Sequence, residues 1–199
     1  EMVSGIYASR DNESEIVLFD IHTGNVETVV TGTNPYGLAI DSENQHLYWT
    51  DRGSAEIFRT DLDGSREVVL VSSDVEIPSA IALDVDGGHF YWTDCGNMTV
   101  KRADLDGSNV ETLLNSADNI EDPLGLVLDL DNGHLYVSDT TRGHISRANL
   151  DGSEFTLLAT GLPNPHGIAI DGENGMLYFA CWSESGSVPG GAGPAPRVG

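Results

Sequence analysis

The sequence predicts an all-β fold of the β-propeller class. The tetrapeptide Tyr-Trp-Thr-Asp occurs at 48–51 and 91–94. A less similar copy occurs at 136–139, and degenerate copies that keep the tyrosine occur at 7–10 and 178–181. The first tyrosines of successive copies lie 41, 43, 45 and 42 residues apart. Each period holds four short runs of β-branched and aromatic residues with tight turns and no helical periodicity. A repeat of this length with four strands is typical of propeller blades, which must stack because one sheet cannot bury both of its faces.

The strands follow the same order in every repeat. An innermost strand begins with proline, passes through small residues and ends with aspartate, at 35–41, 78–84, 123–129 and 165–171. Proline is tolerated there because such a strand can lack a donor, and small residues permit crowding near a narrow axis. A polar hairpin, the tyrosine strand and a third strand come next. The third strand closes on Asp-Gly, which suits a tight hairpin, and a short outer strand completes the unit.

The composition excludes several classes of partner. Thirty-two acidic and nine basic side chains give a net charge of -23, which repels phosphate backbones and anionic lipid and attracts cationic partners. We therefore expect no nucleic acid partner. No run approaches eighteen apolar residues, so we expect no direct membrane insertion. No leader precedes Met2, but a removed leader would leave no trace, so secretion stays compatible with the sequence.

Acidic and basic residues recur eight positions apart in three repeats. The pairs are Asp51 with Arg59, Asp94 with Arg102 and Asp139 with Arg147. The first repeat lacks both partners, with Arg10 and Leu18 in their places. Because an unpaired buried charge costs several kcal/mol, we expect structural ion pairs within the blades. A catalytic role is disfavoured, since an active site needs to occur once.

The residues beside each inner-strand proline differ between repeats. His166 follows Pro165, where the other repeats have tyrosine, serine and leucine. These positions should line the mouth of the central channel, where propellers commonly bind ligands. The predicted rim consists of Asn34, Tyr36, Glu76, Glu121, Asp122, Asn164 and His166. Such a rim could hold a cation or a basic side chain, and the plainer alternative is a solvated rim without a ligand.

No motif for catalysis or metal binding is present. The sequence has no Gly-x-Ser-x-Gly elbow, no phosphate-binding glycine loop followed by lysine and no His-Glu-x-x-His pattern. The Asp-rich turns lack the glycine and glutamate positions of an EF-hand. Cys95 and Cys181 are too few for a disulfide scaffold, and whether they are two thiols or one bridge stays open. We predict no catalytic residue, metal ligand or cofactor, with a divalent cation in the channel as a possible exception.

The Tyr-Trp-Thr-Asp, Ile-x-Arg, Leu-Asp-Gly and Pro-x-Gly-Leu-Ala-Ile-Asp elements recur together and in order over residues 4 to about 182. In this they resemble the class B repeats of low-density-lipoprotein-receptor-type proteins. The resemblance implies a six-bladed β-propeller with the Tyr-Trp-Thr-Asp segment on the second strand of each blade. It also implies an extracellular module for binding or pH-dependent release, without catalysis.

The chain is shorter than six such repeats. It holds three whole repeats, the last three strands of one at its start and the first two strands of another at its end, which places blades over 1–182. We predict an incomplete six-bladed propeller of about four blades, whose exposed edges favour self-association. The alternative is a closed four-bladed ring in which 166–171 joins the N-terminal strands. Residues 183–199, eight of them Gly or Pro, predict a disordered tail.

Two functions are compatible with these features. The favoured one is a non-catalytic protein- or peptide-binding module, secreted or on a cell surface, that presents an acidic propeller face to a basic partner. The alternative is a metal-dependent lactonase similar to the gluconolactonase and senescence-marker group, in which a Glu, an Asn and an Asp converge on a divalent ion at the axis. The predicted rim contains those residue types without a matching motif.

Overall fold

The computed structural model describes residues 5–10 and 14–182. These residues form seventeen strands and a single 3-10 turn, so none of their helical structure is long enough to cross a membrane. The predicted tail at 183–199 lies outside the described residues. The strands are β1 (Gly5–Arg10), β2 (Glu15–Asp20), β3 (Val26–Thr31), β4 (Pro35–Asp41), β5 (His46–Asp51), β6 (Glu56–Asp61), β7 (Val68–Val71), β8 (Pro78–Asp84), β9 (His89–Asp94), β10 (Thr99–Asp104), β11 (Glu111–Leu114), β12 (Pro123–Asp129), β13 (His134–Asp139), β14 (His144–Asn149), β15 (Thr156–Thr160), β16 (Pro165–Asp171) and β17 (Met176–Cys181).

The strands pair into five antiparallel sheets that follow the order of the chain. Three sheets have four strands, namely β4 to β7, β8 to β11 and β12 to β15. The first sheet has only β1, β2 and β3, and the last has only β16 and β17. The all-β prediction is confirmed, and so is the division into three whole blades flanked by three strands and two strands.

The inner strands stand side by side around a channel. Strand β4 packs against β8, β8 against β12, and β12 against β16, and all four line one cavity. Among the described elements, β16 makes no comparable contact with β1 or β4. The described chain is therefore an open arc of blades, and the closed four-bladed ring is not formed.

The tyrosine strand of each whole blade is buried on both sides. Side chains alternate along a strand, so Tyr48 packs with Phe90 of the following sheet while Trp49 packs with Ile16 of the preceding one. The indole of Trp49 also stacks on Phe58 of its own sheet, with ring centroids 4.2 Å apart. Each Tyr-Trp pair is thus a two-sided contact between blades, which explains why the motif recurs.

The Asp-Gly turns make a second joint between blades. Gly107 has a φ of 87°, and a Cβ added there would collide with the carbonyl oxygen of Leu70 in the preceding sheet. Gly64 and Gly152 meet Val29 and Leu113 in the same way. Glycine is required here both by the backbone conformation and by the close approach of the neighbouring blade.

Candidate functional site at the mouth of the channel

The aspartate that ends each tyrosine strand is a structural residue. The carboxylate of Asp51 accepts hydrogen bonds from the backbone N–H groups of Thr33 and Asn34, at 2.7 and 3.0 Å, and from two N–H groups of its own turn. Asp94 and Asp139 bind the corresponding loops, and all three side chains are buried. Burial raises the pKa of Asp51, but the hydrogen bonds from Thr33, Ser54 and Gly53 outweigh it and lower the pKa below its ordinary value. These carboxylates fix the loop that enters each inner strand.

The predicted ion pairs Asp51–Arg59, Asp94–Arg102 and Asp139–Arg147 are not formed. Each arginine lies directly opposite the tyrosine of the motif, as Arg102 lies opposite Tyr91. The aspartate is three residues further along that strand, and alternation places it on the other face of the sheet. The guanidinium of Arg102 instead donates to Glu111 at 2.6 Å and to the carbonyl oxygen of Leu150 at 3.2 Å. The prediction was wrong because a fixed spacing across a turn does not determine which faces the two side chains occupy.

A cavity of about 470 Å³ lies at the end of the channel where the inner strands begin. Two segments of the repeat contribute side chains to this cavity. The first is the pair of residues around the inner-strand proline, which supplies Tyr36, Ile77, Asp122, Leu124, Asn164 and His166. The second directly follows the last residue of the tyrosine strand and supplies Arg52, Cys95, Thr140 and Trp182. We call this cavity the mouth.

The structure brings four of the seven predicted rim residues into the mouth, namely Tyr36, Asp122, Asn164 and His166. Asn34, Glu76 and Glu121 do not line it. Glu121 pairs with Arg142 at 2.9 Å, and the side chain of Glu76 lies against Gly96. These two glutamates stand two residues before the proline, whereas in these two repeats the residue directly before the proline, Ile77 or Asp122, lines the cavity. The mouth is therefore less acidic than predicted.

The second set of lining residues was missed by the sequence analysis. Arg52, Cys95, Thr140 and Trp182 occupy one repeat position. The signal was available, because four unrelated side chains stand directly after a strand that otherwise repeats closely. The sequence prediction omitted this position because it lies directly after the fourth and last residue of the motif.

The mouth combines charged and aromatic groups. The guanidinium carbon of Arg52 lies 3.4 Å from the centroid of the Tyr36 ring, a cation–π geometry, and Arg52 also donates to Ser79 Oγ at 2.7 Å. In the last sheet the rings of His166 and Trp182 meet edge to face at 6.4 Å. The guanidinium of Arg52 is thus held by the Tyr36 ring and by Ser79 Oγ, and the mouth offers aromatic surface to one ligand side chain.

Two further polar groups complete the mouth. Asp122 Oδ2 accepts a hydrogen bond from Thr140 Oγ1 at 2.6 Å. Cys95 Sγ donates to the carbonyl oxygen of Pro123 at 3.1 Å, and burial raises the pKa of this thiol to about 12. Cys95 therefore stays protonated and is a poor nucleophile. It is a free cysteine, as is Cys181, so the bridge between them that the sequence left open is not formed.

Thirteen of the 32 Asp and Glu residues lie at the opposite end of the blades. The hairpins after the inner strands and the Asp-Gly turns both lie there, because antiparallel strands alternate in direction. Arg66 is the only Lys or Arg in these turns. We call this surface the acidic end, and its carboxylates belong to Asp41, Glu43, Asp61, Asp63, Asp84, Asp86, Asp104, Asp106, Asp129, Asp131, Asp151, Asp171 and Glu173.

The mouth contains part of the residue set named by the lactonase alternative. Within 5–10 and 14–182, no three His, Cys, Asp or Glu side chains come together so that they could hold a metal ion. In the mouth, Asp122 and Asn164 are present but both predicted glutamates lie elsewhere. Of the Glu, Asn and Asp set, the lining of the mouth thus includes an aspartate and an asparagine.

Comparison with known proteins agrees with this architecture. The family model described as low-density lipoprotein receptor repeat class B matches residues 45–85 and 88–130. An 84-residue segment is 34% identical to Protein cueball of Drosophila yakuba and covers 39% of this chain but only 13% of that protein. A chain in the crystal structure of a nidogen/laminin complex superposes with a TM-score of 0.79 at 25% identity, covering 89% of this chain and 69% of that chain. The resemblance expected from the sequence is confirmed, since residues 45–85 and 88–130 match low-density lipoprotein receptor class B repeats and the described chain has the fold of a β-propeller.

Proposed function

We propose that this propeller is a non-catalytic module, extracellular or on a cell surface, that binds a basic protein or peptide at the mouth. One observation carries the proposal. The repeated residues join sheets to each other, whereas the side chains that differ between repeats converge on a single cavity. The structural similarity to a chain of a nidogen/laminin complex supports protein binding, and the class B repeats support the extracellular setting.

The chemistry of the mouth suits an amphipathic side chain of the partner. Tyr36 and Trp182 supply aromatic surface, and Asp122 supplies an acceptor for a cationic tip. Lysine and arginine have apolar stems and charged ends, so they match this combination. His166 adds a group that can donate or accept a hydrogen bond.

The net charge favours the same class of partner. A charge of -23 creates a negative potential around the whole molecule, and such fields raise the rate of association with cationic partners. The acidic end strengthens this long-range attraction without forming the contact itself. Binding should therefore weaken as salt screens the field.

The test uses the labelled full chain on an array of peptides of equal length and graded net charge. We expect retention on peptides with positive charge, and at least tenfold weaker binding for the double variant His166→Ala, Trp182→Ala. Met98→Ala is the matched control, since this exposed residue lies in a turn at the same end but outside the mouth. Equal binding by both variants would refute the mouth as the contact. Lactone hydrolysis that a chelator abolishes would favour the enzymatic alternative.

A further inference from the structure

Arg52 places a positive charge inside the cavity that is proposed to bind a basic side chain. It lines the mouth, and its guanidinium contacts the Tyr36 ring and Ser79 Oγ, which are both uncharged. Arg142, in the corresponding turn of the fourth sheet, is instead paired with Glu121 at 2.9 Å. Among the described residues Arg52 has no such carboxylate partner, so its charge is not neutralised by an ion pair.

Ser79 holds this guanidinium from below the cavity. The side chain of Ser79 is fully buried and does not line the mouth. Its oxygen lies 3.2 Å from the carbonyl oxygen of Ile77 and 3.1 Å from Cys95 Sγ. The hydroxyl proton is used for these two contacts, so the lone pairs of the oxygen remain to accept the 2.7 Å hydrogen bond from Arg52 Nη2.

Cys95 extends this network to the fourth sheet. Its thiol donates to the carbonyl oxygen of Pro123 at 3.1 Å, so its sulfur is free to accept from Ser79. The chain of donors thus runs from Arg52 through Ser79 and Cys95 to the residue that directly follows Asp122. Linked hydrogen bonds strengthen one another. The network therefore fixes the cation on the second-sheet side of the mouth and ends beside the carboxylate on the fourth-sheet side.

We propose that Ser79 and Cys95 are positioning residues that hold Arg52 where it repels a second cation, so that the mouth admits one isolated basic side chain. This inference rests on the proposed function and adds its specificity. The cationic tip of the ligand meets Asp122, and a neighbouring basic residue of the ligand would approach Arg52. Like charges brought together at an interface disfavour binding, and such repulsion discriminates between similar partners.

The net charge of the protein does not supply this selectivity. A charge of -23 attracts every basic segment, and it attracts clustered lysines at least as strongly as separated ones. Arg52 acts only at short range, because salt screens its field beyond about 8 Å under physiological conditions. The partner segment is therefore one in which a lysine or arginine stands apart from other basic residues.

Two peptides of identical composition test the proposal with the full chain. One carries two lysines side by side, and the other carries them at opposite ends, so that their net charges are equal. We expect the wild type to bind the peptide with separated lysines about tenfold more tightly. Arg52→Gln should bind both peptides about equally, because the repelling charge is removed.

Ser79→Ala and Cys95→Ala test the positioning role. Neither substitution changes the charge of the mouth, so a smaller preference in these variants reports displacement of the guanidinium. Urea unfolding checks that both variants fold, and Cys95→Ala serves if Ser79→Ala does not. Arg66→Gln is the matched control, since it removes the same charge from an exposed side chain at the acidic end. It should keep the preference of the wild type.

The outcomes separate this inference from the proposed function. If the wild type binds the two peptides equally, or prefers adjacent lysines, the inference is overturned while the proposed function stands. It is also overturned if Arg52→Gln keeps the preference or if Arg66→Gln loses it. A preference unchanged in both alanine variants refutes the positioning role of Ser79 and Cys95. Binding of neither peptide would refute the proposed function itself, and this inference with it.

Discussion

The hydroxyl group of Thr50 donates a 2.7 Å hydrogen bond to the carbonyl oxygen of Ser79 on the inner strand of the next blade. The same oxygen of Thr50 accepts a 2.8 Å hydrogen bond from the backbone N–H of Gly37 on its own inner strand. Thr93 and Ser138 bridge the following pairs of inner strands in the same way. The third residue of the motif thus ties neighbouring blades together beside the channel.

Replacing this hydroxyl should destabilise the propeller. Thr50→Val keeps the shape but leaves a buried N–H and a buried carbonyl oxygen unpaired, which costs about 1–3 kcal/mol. Thr50→Ser should cost little, because Ser138 makes these bonds in the fourth sheet. Urea unfolding of the two variants measures the difference, and equal midpoints would show that the hydroxyl does not link the strands.

The stability of the fold should depend on the ionisation of Asp51. Its folded-state pKa is lowered, so its stabilisation is complete above the unfolded-state value of about 4 and is lost as pH falls through the folded-state value. We expect Asp51→Asn to be less stable than wild type by about 2 kcal/mol at pH 7, with a gap that narrows under acid. The exposed residue Asp86 provides the control Asp86→Asn. Thermal unfolding from pH 7 to pH 3 measures both, and a gap that does not change with pH would contradict the expectation.

Asp94 and Arg102 should contribute to stability independently. They lie on opposite faces of one sheet, so a double-mutant cycle with Asp94→Ala and Arg102→Ala should give a coupling energy near zero. The cycle of Arg102→Ala with Glu111→Ala should show a small coupling, about 0.5 kcal/mol, because that pair is partly exposed. A coupling energy above about 2 kcal/mol between Asp94 and Arg102 would contradict this expectation and support an ion pair between them.

Tyr136 and Tyr48 should respond differently to loss of the hydroxyl. Tyr48 donates to the carbonyl oxygen of Leu105, whereas the buried hydroxyl of Tyr136 has no such acceptor among the described residues and interacts with the side chain of Arg147. Tyr48→Phe should therefore cost about 1 kcal/mol, and Tyr136→Phe should be neutral or stabilising. Chemical unfolding of both variants tests this, and an equal loss at the two positions would argue against it.

The architecture was predictable because it repeats. A sequence pattern that recurs in several repeats specifies strand order, turn type and buried side chains. The blades from β4 to β15 follow this pattern closely. What each carboxylate binds was not predictable from spacing alone. Asp94 pairs with backbone N–H groups of a loop seventeen and eighteen residues before it, and no sequence pattern marks a backbone donor.

The mouth was predictable only in part. Proline marks the start of each inner strand, so the position of Tyr36 and His166 beside the channel followed from the sequence. Arg52 and Trp182 lie at the turn after the neighbouring strand and reach the same cavity only because the two strands pair there. This proximity depends on the register between the inner strand and the tyrosine strand. A bulge after each of these prolines shifts that register.

Asp51 and Arg52 are adjacent in sequence but have different roles, and this difference has a practical consequence for protein engineering. One residue anchors a loop through backbone bonds, and its immediate neighbour faces the cavity. A library that randomises the positions of Arg52, Cys95, Thr140 and Trp182 would recast the recognition surface while every anchoring aspartate stays untouched. The scaffold would then serve as a frame on which new binding specificities are selected.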